Sequence, residues 1–364
     1  MSPVRVPFGS PAPREDAAAV RAAIERVVSS GWYVLGPEVA AFEAEFAAAC
    51  GVGHAVGVGN GTDGIALILR ALGIGPGDEV ITTPLSAAYT ALAIMMVGAR
   101  PVFADIDPER LTLDPASAER AVTPRTRAIL PVHLYGQAAD MDALQQVATR
   151  HGLALVEDAC QAHLATAGGR PVGTIGVAGA FSFYPTKNLG ALGDGGAIVT
   201  GDGSLATRLR RLRNGGQTDR YHHLEPGFNS RLDEMQAAIL RARLPYLGSW
   251  TARRRTVAAA YRTSLVGARL NVLREFDAGH VYHLFVVRTR HRAVLQRHLA
   301  ADGIETLVHY PVPIPRQPAL ASHDPADCPE AARACEEVLS LPLHPGLTDQ
   351  DVAAVAASVH ACEV

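Results

Sequence analysis

Lysine is almost absent. Of the 33 lysine and arginine residues in the 364-residue chain, Lys187 is the one lysine. A bias toward arginine accounts for the arginines but not for a lone survivor. The two side chains differ in one respect that matters here. An amine can lose its proton, attack a carbonyl and form a Schiff base, whereas a guanidinium stays charged. Chance is the plain alternative: a surface lysine that drift has left in place. Cysteine is scarce as well. Five scattered residues form no CxxC pair and no even-numbered framework, which excludes a disulfide scaffold or cysteine zinc site and points to a reducing, cytoplasmic setting. Charge of one sign is not in excess. A net charge of −3 leaves no electrostatic footprint for nucleic acid. No apolar run is long enough to span a bilayer, and MSPVRVPFGS has no apolar signal core. HExxH and GxSxG are missing, so metal-hydrolase and serine-triad readings have no motif. His280 and His283 are three apart near a strand, where that spacing sends them to opposite faces. No metal site is expected.

What is present is ordinary for a globular enzyme: 48% hydrophobic and 19% charged residues over a length that suits two domains. Helical spacing covers 14–29 and 37–49, joined by SSGWYVLGP. An alternation follows. The apolar strand candidates are 54–58, 79–84, 100–106, 127–136, 153–159, 179–185 and 196–202, and helical segments such as 62–73 and 139–151 separate most of them. This rhythm predicts an α/β fold with a mainly parallel sheet and helices on both faces. Functional residues then belong at the carboxyl ends of strands. RLDEMQAAILRARL (231–244) places Leu232, Met235, Ile239 and Ala242 on one helical face. Past residue 250 the rhythm changes, with a strand candidate at 281–289, a helix to about 301 and a proline-rich 309–318. We expect a large domain over 1–250 and a smaller α+β domain over 251–364. The clusters RLRRLR (208–213) and RRR (253–255) read as solvated helix faces, with one arginine meeting a substrate phosphate as the alternative.

GNGTDG (59–64) fits G-x-G-x-x-G after a strand and before a helix, so a dinucleotide fold has to be weighed. Its ribose-binding acid should close the next strand. Asp78 and Glu79 instead open it, and that reading fails. What survives is a helix N-terminus with exposed N–H groups and the Thr62 hydroxyl, a phosphate site by its physics, or else a tight glycine turn with a threonine cap. Asp158 closes LALVED, and Gln161 follows it. Ser182 and Lys187 close GAFSFYP. A phosphate loop, a carboxylate and the single lysine thus map to one edge of one sheet. Pyridoxal 5′-phosphate needs those three things: an amine for its aldehyde, an acid to keep its ring nitrogen protonated, and an anion site for its phosphate.

The chain resembles the DegT/StrS-like sugar aminotransferases, pyridoxal-phosphate enzymes of fold type I. The likeness runs through GWYVLGPEV, GTDGIALILRALGIGPGDEV, VEDACQAH, AFSFYPTKNLGALGDGGAIVT and GFNSRLDEMQAAIL. It implies that Lys187 carries the Schiff base, that Asp158 partners the ring nitrogen, and that Gln161 approaches the ring hydroxyl. It also implies that Gly61, Thr62 and Ser182 contact the phosphate. Asn229 is implied to reach that phosphate from a neighbouring subunit, and hence a homodimer with shared active sites. The branch suggested acts on nucleotide-linked keto-deoxysugars with L-glutamate as donor, and NSRLDEMQAA with HYPVP resembles enzymes aminating C3 of dTDP-3-keto-6-deoxyhexoses. C4 amination, or a cyclitol or other ketone as acceptor, are the alternatives. Substrate contacts fall to His309, Tyr310 and Tyr89, while His163 reads as a structural histidine. The chain departs from the family pattern at Ala87, where an aromatic usually covers the ring, and at Leu164, Gly215 and Pro315. Related enzymes of deoxygenation carry histidine at the lysine position, and Lys187 argues against that chemistry.

Overall fold

The computed structural model describes residues 4–10, 12, 14–320 and 327–362. Its centre is a seven-stranded sheet: β1 (His54–Val58), β2 (Glu79–Thr82), β3 (Arg100–Phe103), β4 (Thr126–Leu130), β5 (Ala154–Asp158), β6 (Ala178–Ser182) and β7 (Gly196–Thr200). Across the sheet they run β1–β7–β6–β5–β4–β2–β3. Every neighbouring pair is parallel except the two made by β7. The strands are buried on both faces, as the sequence rhythm requires. On one face lies α3 (Gly61–Ala71), with Ile65, Leu67, Ile68 and Leu69 fully enclosed. The other face carries α2 (Pro37–Ala49), whose Phe42 and Phe46 meet Phe183 and Phe181 edge to face.

Parallel crossovers bring each strand's carboxyl end to the same edge, and the next helix starts there. That places α3, α4 (Tyr89–Met96) and the turns after β5 and β6 side by side. The chain continues through the helix α8 (Glu234–Arg243) into α9 (Leu247–Ser264), which contains residues 250 and 251. A second, antiparallel sheet follows: β8 (Asn271–Val272), β9 (Phe285–Arg288) and β10 (Val338–Leu341). Its core takes in Tyr261, Phe285 and Leu339, together with Val6 from the other end of the chain.

Some expectations need correcting. Leu232 is buried but precedes α8, which begins at Glu234. His280 and His283 precede β9 rather than lie on it, and both turn inward. The arginine clusters are not solvated faces. Arg213 is buried on Glu43, Arg208 and Arg211 share Glu225, and Arg254 is buried. The reason is geometric: each cluster's helix packs against the sheet or the second core, so one arginine of each cluster is buried. No helix among the described residues is long and apolar enough to cross a membrane.

Candidate active site

Asp158 ends β5 at the sheet's carboxyl edge and is 5% exposed. The Thr90 hydroxyl donates to its Oδ2 at 2.7 Å, and the Cys160 N–H donates to Oδ1 at 3.1 Å. Glu157 precedes it and, by strand alternation, faces the opposite way. It accepts from Gly173, Ile175 and Gly176 N–H groups at 2.7 Å each and pairs with His133 at 2.9 Å. Glu157 is therefore saturated by the protein, whereas Asp158 presents a carboxylate at the crevice.

Lys187 sits in the turn after β6, its backbone N–H bonded to Tyr184 at 2.8 Å. Its amine makes no hydrogen bond among the described residues. Burial lowers its pKa, and Cys160 and Asp158 oppose that shift. The amine and the carboxylate are therefore neighbours, although 29 positions separate them in sequence.

The glycine loop forms the floor. Asn60, not Thr62, caps α3, with its side chain accepting the Asp63 N–H at 2.9 Å. The Thr62 hydroxyl is thereby left without a partner among the described residues. A methyl on Gly61 would lie 2.5 Å from Cys160 Sγ and 3.0 Å from Ser182 Cβ. Gly61, Ser182 and Cys160 thus touch. Ser230 ties the loop down, accepting from Gly59 N–H at 3.0 Å and donating to Asp63 at 2.7 Å. Its neighbour Asn229 is exposed and pairs through the backbone with Asn214.

Gln161 is held at both ends of its amide. Oε1 accepts the Tyr135 N–H at 2.8 Å, and Nε2 donates to the Tyr310 hydroxyl at 3.0 Å. Burial pushes that hydroxyl's pKa up to about 12, so it stays protonated. His309 shares Nδ1 with Ser340 Oγ at 2.9 Å and stacks on Phe8. Tyr89, first in α4, is 65% exposed, but lies close enough to raise the Tyr310 pKa. His163 is fully enclosed. Its Nε2 meets the Ser182 carbonyl at 2.9 Å, and burial, aided by the Lys187 charge, lowers its pKa to about 3. Leu164 has φ +58°, in the region glycine prefers, which explains why a glycine is natural at that place. Pro315 is buried in a short turn.

Sequence reasoning missed Thr90 and His283. Thr90 hides in an apolar helix, and its contact with Asp158 spans 68 positions. His283 meets Asn188 at 3.3 Å, beside the lysine. Neither contact has a local signal.

The residues present fit pyridoxal 5′-phosphate. A helix N-terminus flanked by the Thr62 and Ser182 hydroxyls suits the phosphate, and Gly61 leaves the cradle that a Cβ would fill. The Asp158 carboxylate and the Lys187 amine, which has no hydrogen-bond partner among the described residues, are the group types that the ring nitrogen and the aldehyde require. Fold and donor set together define a pyridoxal-phosphate enzyme built on a large, mostly parallel sheet. The comparisons with known proteins carry the assignment to a family. The family model described as DegT/DnrJ/EryC1/StrS aminotransferase matches residues 14–360. The chain is 54% identical to the dTDP-3-amino-3,4,6-trideoxy-alpha-D-glucose transaminase of Streptomyces venezuelae, over 90% of this chain and 87% of that protein. Among solved structures, S. venezuelae DesV in complex with a ketimine intermediate superposes with a TM-score of 0.96 at 51% identity, covering 99% of this chain and 98% of that one. NtdA of Bacillus subtilis, solved with bound cofactor PMP, gives 0.91 at 30% identity, covering 99% and 85%. This chain belongs to the DegT/DnrJ/EryC1/StrS aminotransferase family and is a pyridoxal-phosphate-dependent aminotransferase.

Proposed function

We propose that the enzyme transfers an amino group from L-glutamate to C3 of a dTDP-linked 3-keto-6-deoxyhexose, a step in making a deoxyamino sugar for antibiotic biosynthesis. The observation that carries the chemistry is the partnerless amine of Lys187 beside the Asp158 carboxylate. The acceptor class rests on the 54% identity to the transaminase named above. When bound, pyridoxal phosphate supplies an aldehyde that takes up amino groups and a ring that withdraws electrons. Gly61, Thr62 and Ser182 would hold its phosphate. Asp158, oriented by Thr90 and by the Cys160 N–H, would hold the ring nitrogen's proton. Gln161, fixed by Tyr135 and Tyr310, has one N–H left for the ring hydroxyl.

Lys187 is the proton carrier. Burial lowers its pKa, so the amine gives up its own proton more readily. It would take the proton from the donor's Cα and return it on the far side of the transferring nitrogen, to the carbon that the cofactor supplies. With the keto sugar, it moves a proton in the opposite sense and leaves the amine on the sugar. His309, Tyr310 and Tyr89 would contact the sugar. Asn229 is exposed in its own chain and would complete the partner's phosphate site in a homodimer. The exposed aromatics Trp32, Tyr33 and Tyr184 support such an interface.

The test is the visible absorption of the purified holoenzyme before and after L-glutamate. A yellow band that glutamate bleaches, and that Lys187→Arg abolishes together with turnover, is expected. Turnover by Lys187→Arg would overturn the assignment.

A further inference from the structure

Beside Lys187 lies a cavity of about 230 Å³, walled by Phe8, Arg14, Asn188, Arg254, His283 and His344. This volume is below the roughly 300–1,000 Å³ of pockets that enclose drug-sized ligands. It suits an amino acid better than a nucleotide sugar.

Three arginines among the described residues are buried: Arg213, Arg243 and Arg254, at 7%, 4% and 6% exposure. Two have counter-ions. Arg213 rests on Glu43, and Arg243 on Asp16 at 2.8 Å. Arg254 has no carboxylate partner among the described residues. Its Nη1 donates to the carbonyls of Tyr282, His283 and Leu343 at 3.2, 3.3 and 3.0 Å, and its Nε has no partner among the described residues. A buried cation without a counter-ion is costly, and natural cases are paired or serve a ligand.

The surroundings agree. The two acids of the wall are committed, Asp16 to Arg243 and Glu15 to Trp250. His344, 6% exposed, leaves both ring nitrogens unpartnered among the described residues, although the nearby Pro7 carbonyl favours its protonated form. Burial, then the charges of Arg14 and Arg254, bring its pKa down to about 4. His283 is lowered by burial and by Lys187 and Arg254. The imidazoles stay neutral in a positive field that a bound anion would relieve. Lys187 also lies close to the cation: His283, whose carbonyl takes Arg254 Nη1, touches Asn188, the residue after the lysine.

We propose that Arg254 recognises the side-chain carboxylate of the amino donor, whose amine then faces Lys187. The inference rests on the reading of L-glutamate as donor, and it makes Arg254 the residue that selects a dicarboxylic amino acid.

Glutarate, which has no amino group to react, is the probe. In calorimetric titration the wild-type holoenzyme should bind it roughly 10–100-fold more tightly than butyrate, the increment of a charge-assisted contact. Arg254→Gln should erase that preference, and Arg254→Lys should restore part of it. In turnover, Arg254→Gln should raise KM for L-glutamate more than it lowers kcat, and should narrow the preference for L-glutamate over L-glutamine. Equal binding of glutarate and butyrate by the wild type would overturn the proposal, and it needs no variant that folds. So would an Arg254→Gln enzyme that keeps wild-type glutarate affinity, or one that weakens glutamate and glutamine equally. Glutarate binding through Arg254, with a spectrum that L-glutamate leaves unchanged, would uphold the carboxylate site and remove glutamate as the donor.

Discussion

Thr90 donates its hydroxyl to Asp158 at 2.7 Å, tying the first turn of α4 to the carboxyl end of β5. The contact is buried and charge-assisted, and it fixes which way the carboxylate faces. Replacing Thr90 by valine keeps shape and removes the donor. We expect Thr90→Val to lower kcat roughly 10–100-fold, from the loss of one hydrogen bond to a charged group. Asp158→Asn should cost more, because it removes the charge as well. Steady-state kinetics of both variants decide the matter. A Thr90→Val enzyme with wild-type kcat would mean that Asp158 needs no such support.

Gly61→Ala should weaken the cofactor rather than the fold. The new methyl would meet Cys160 Sγ at 2.5 Å and Ser182 Cβ at 3.0 Å, so those walls must move. Overpacking of this kind costs about 1–3 kcal/mol. The affinity for pyridoxal phosphate, measured by fluorescence titration, should fall about tenfold or more. Adding Cys160→Ala removes the closer contact and should recover part of the loss. No recovery would place the strain elsewhere.

Acid should destabilise the protein through its buried histidines. The folded pKa values of His163 and His280 are lowered to about 3, chiefly by burial, against 6.5 in the unfolded chain. Their contribution is fully present above pH 6.5. As pH falls toward 3, the unfolded chain takes up protons that the native rings refuse, and stability drops by about 1.4 kcal/mol per pH unit for each group. Urea midpoints measured between pH 7 and 4 should show this slope, and His163→Phe should flatten it by one proton. An unchanged slope would mean that His163 does not titrate differently on unfolding.

Subunit mixing tests the proposal that Asn229 serves the partner's site. Copies with Lys187→Arg and copies with Asn229→Ala should each be impaired. A hybrid pair would contain one site with its own Lys187 and the partner's Asn229. Mixing after unfolding and refolding should therefore restore activity toward roughly a quarter of wild type, by random pairing in a twofold dimer. No gain on mixing would place Asn229 in its own chain's site, or outside any.

By itself, the sequence determined the sheet and its edge. Short apolar runs, separated by amphipathic helices, leave a buried parallel sheet as the packing solution, and strand ends then fall at one side. Lys187, Asp158 and Gly61 were legible because each sits in that local pattern and each has a residue type its neighbours do not explain. Local chemistry also misled. Thr62 looks like a cap, but Asn60 caps the helix, because the asparagine's side chain is the one that reaches the Asp63 N–H. The arginine clusters look solvated because no local pattern reveals the wall that their helices meet. Tertiary structure alone decided the rest. Thr90 meets Asp158 only because β5 lies alongside β4 and the helix after β2 folds over them. Glu157 and Asp158 stand side by side in sequence, yet the loop at 173–176 saturates the first and does not bond the second. Arg254 differs from Arg253 and Arg255 only by the 100° turn that a helix makes per residue. That turn points it into a core where no carboxylate among the described residues pairs with it.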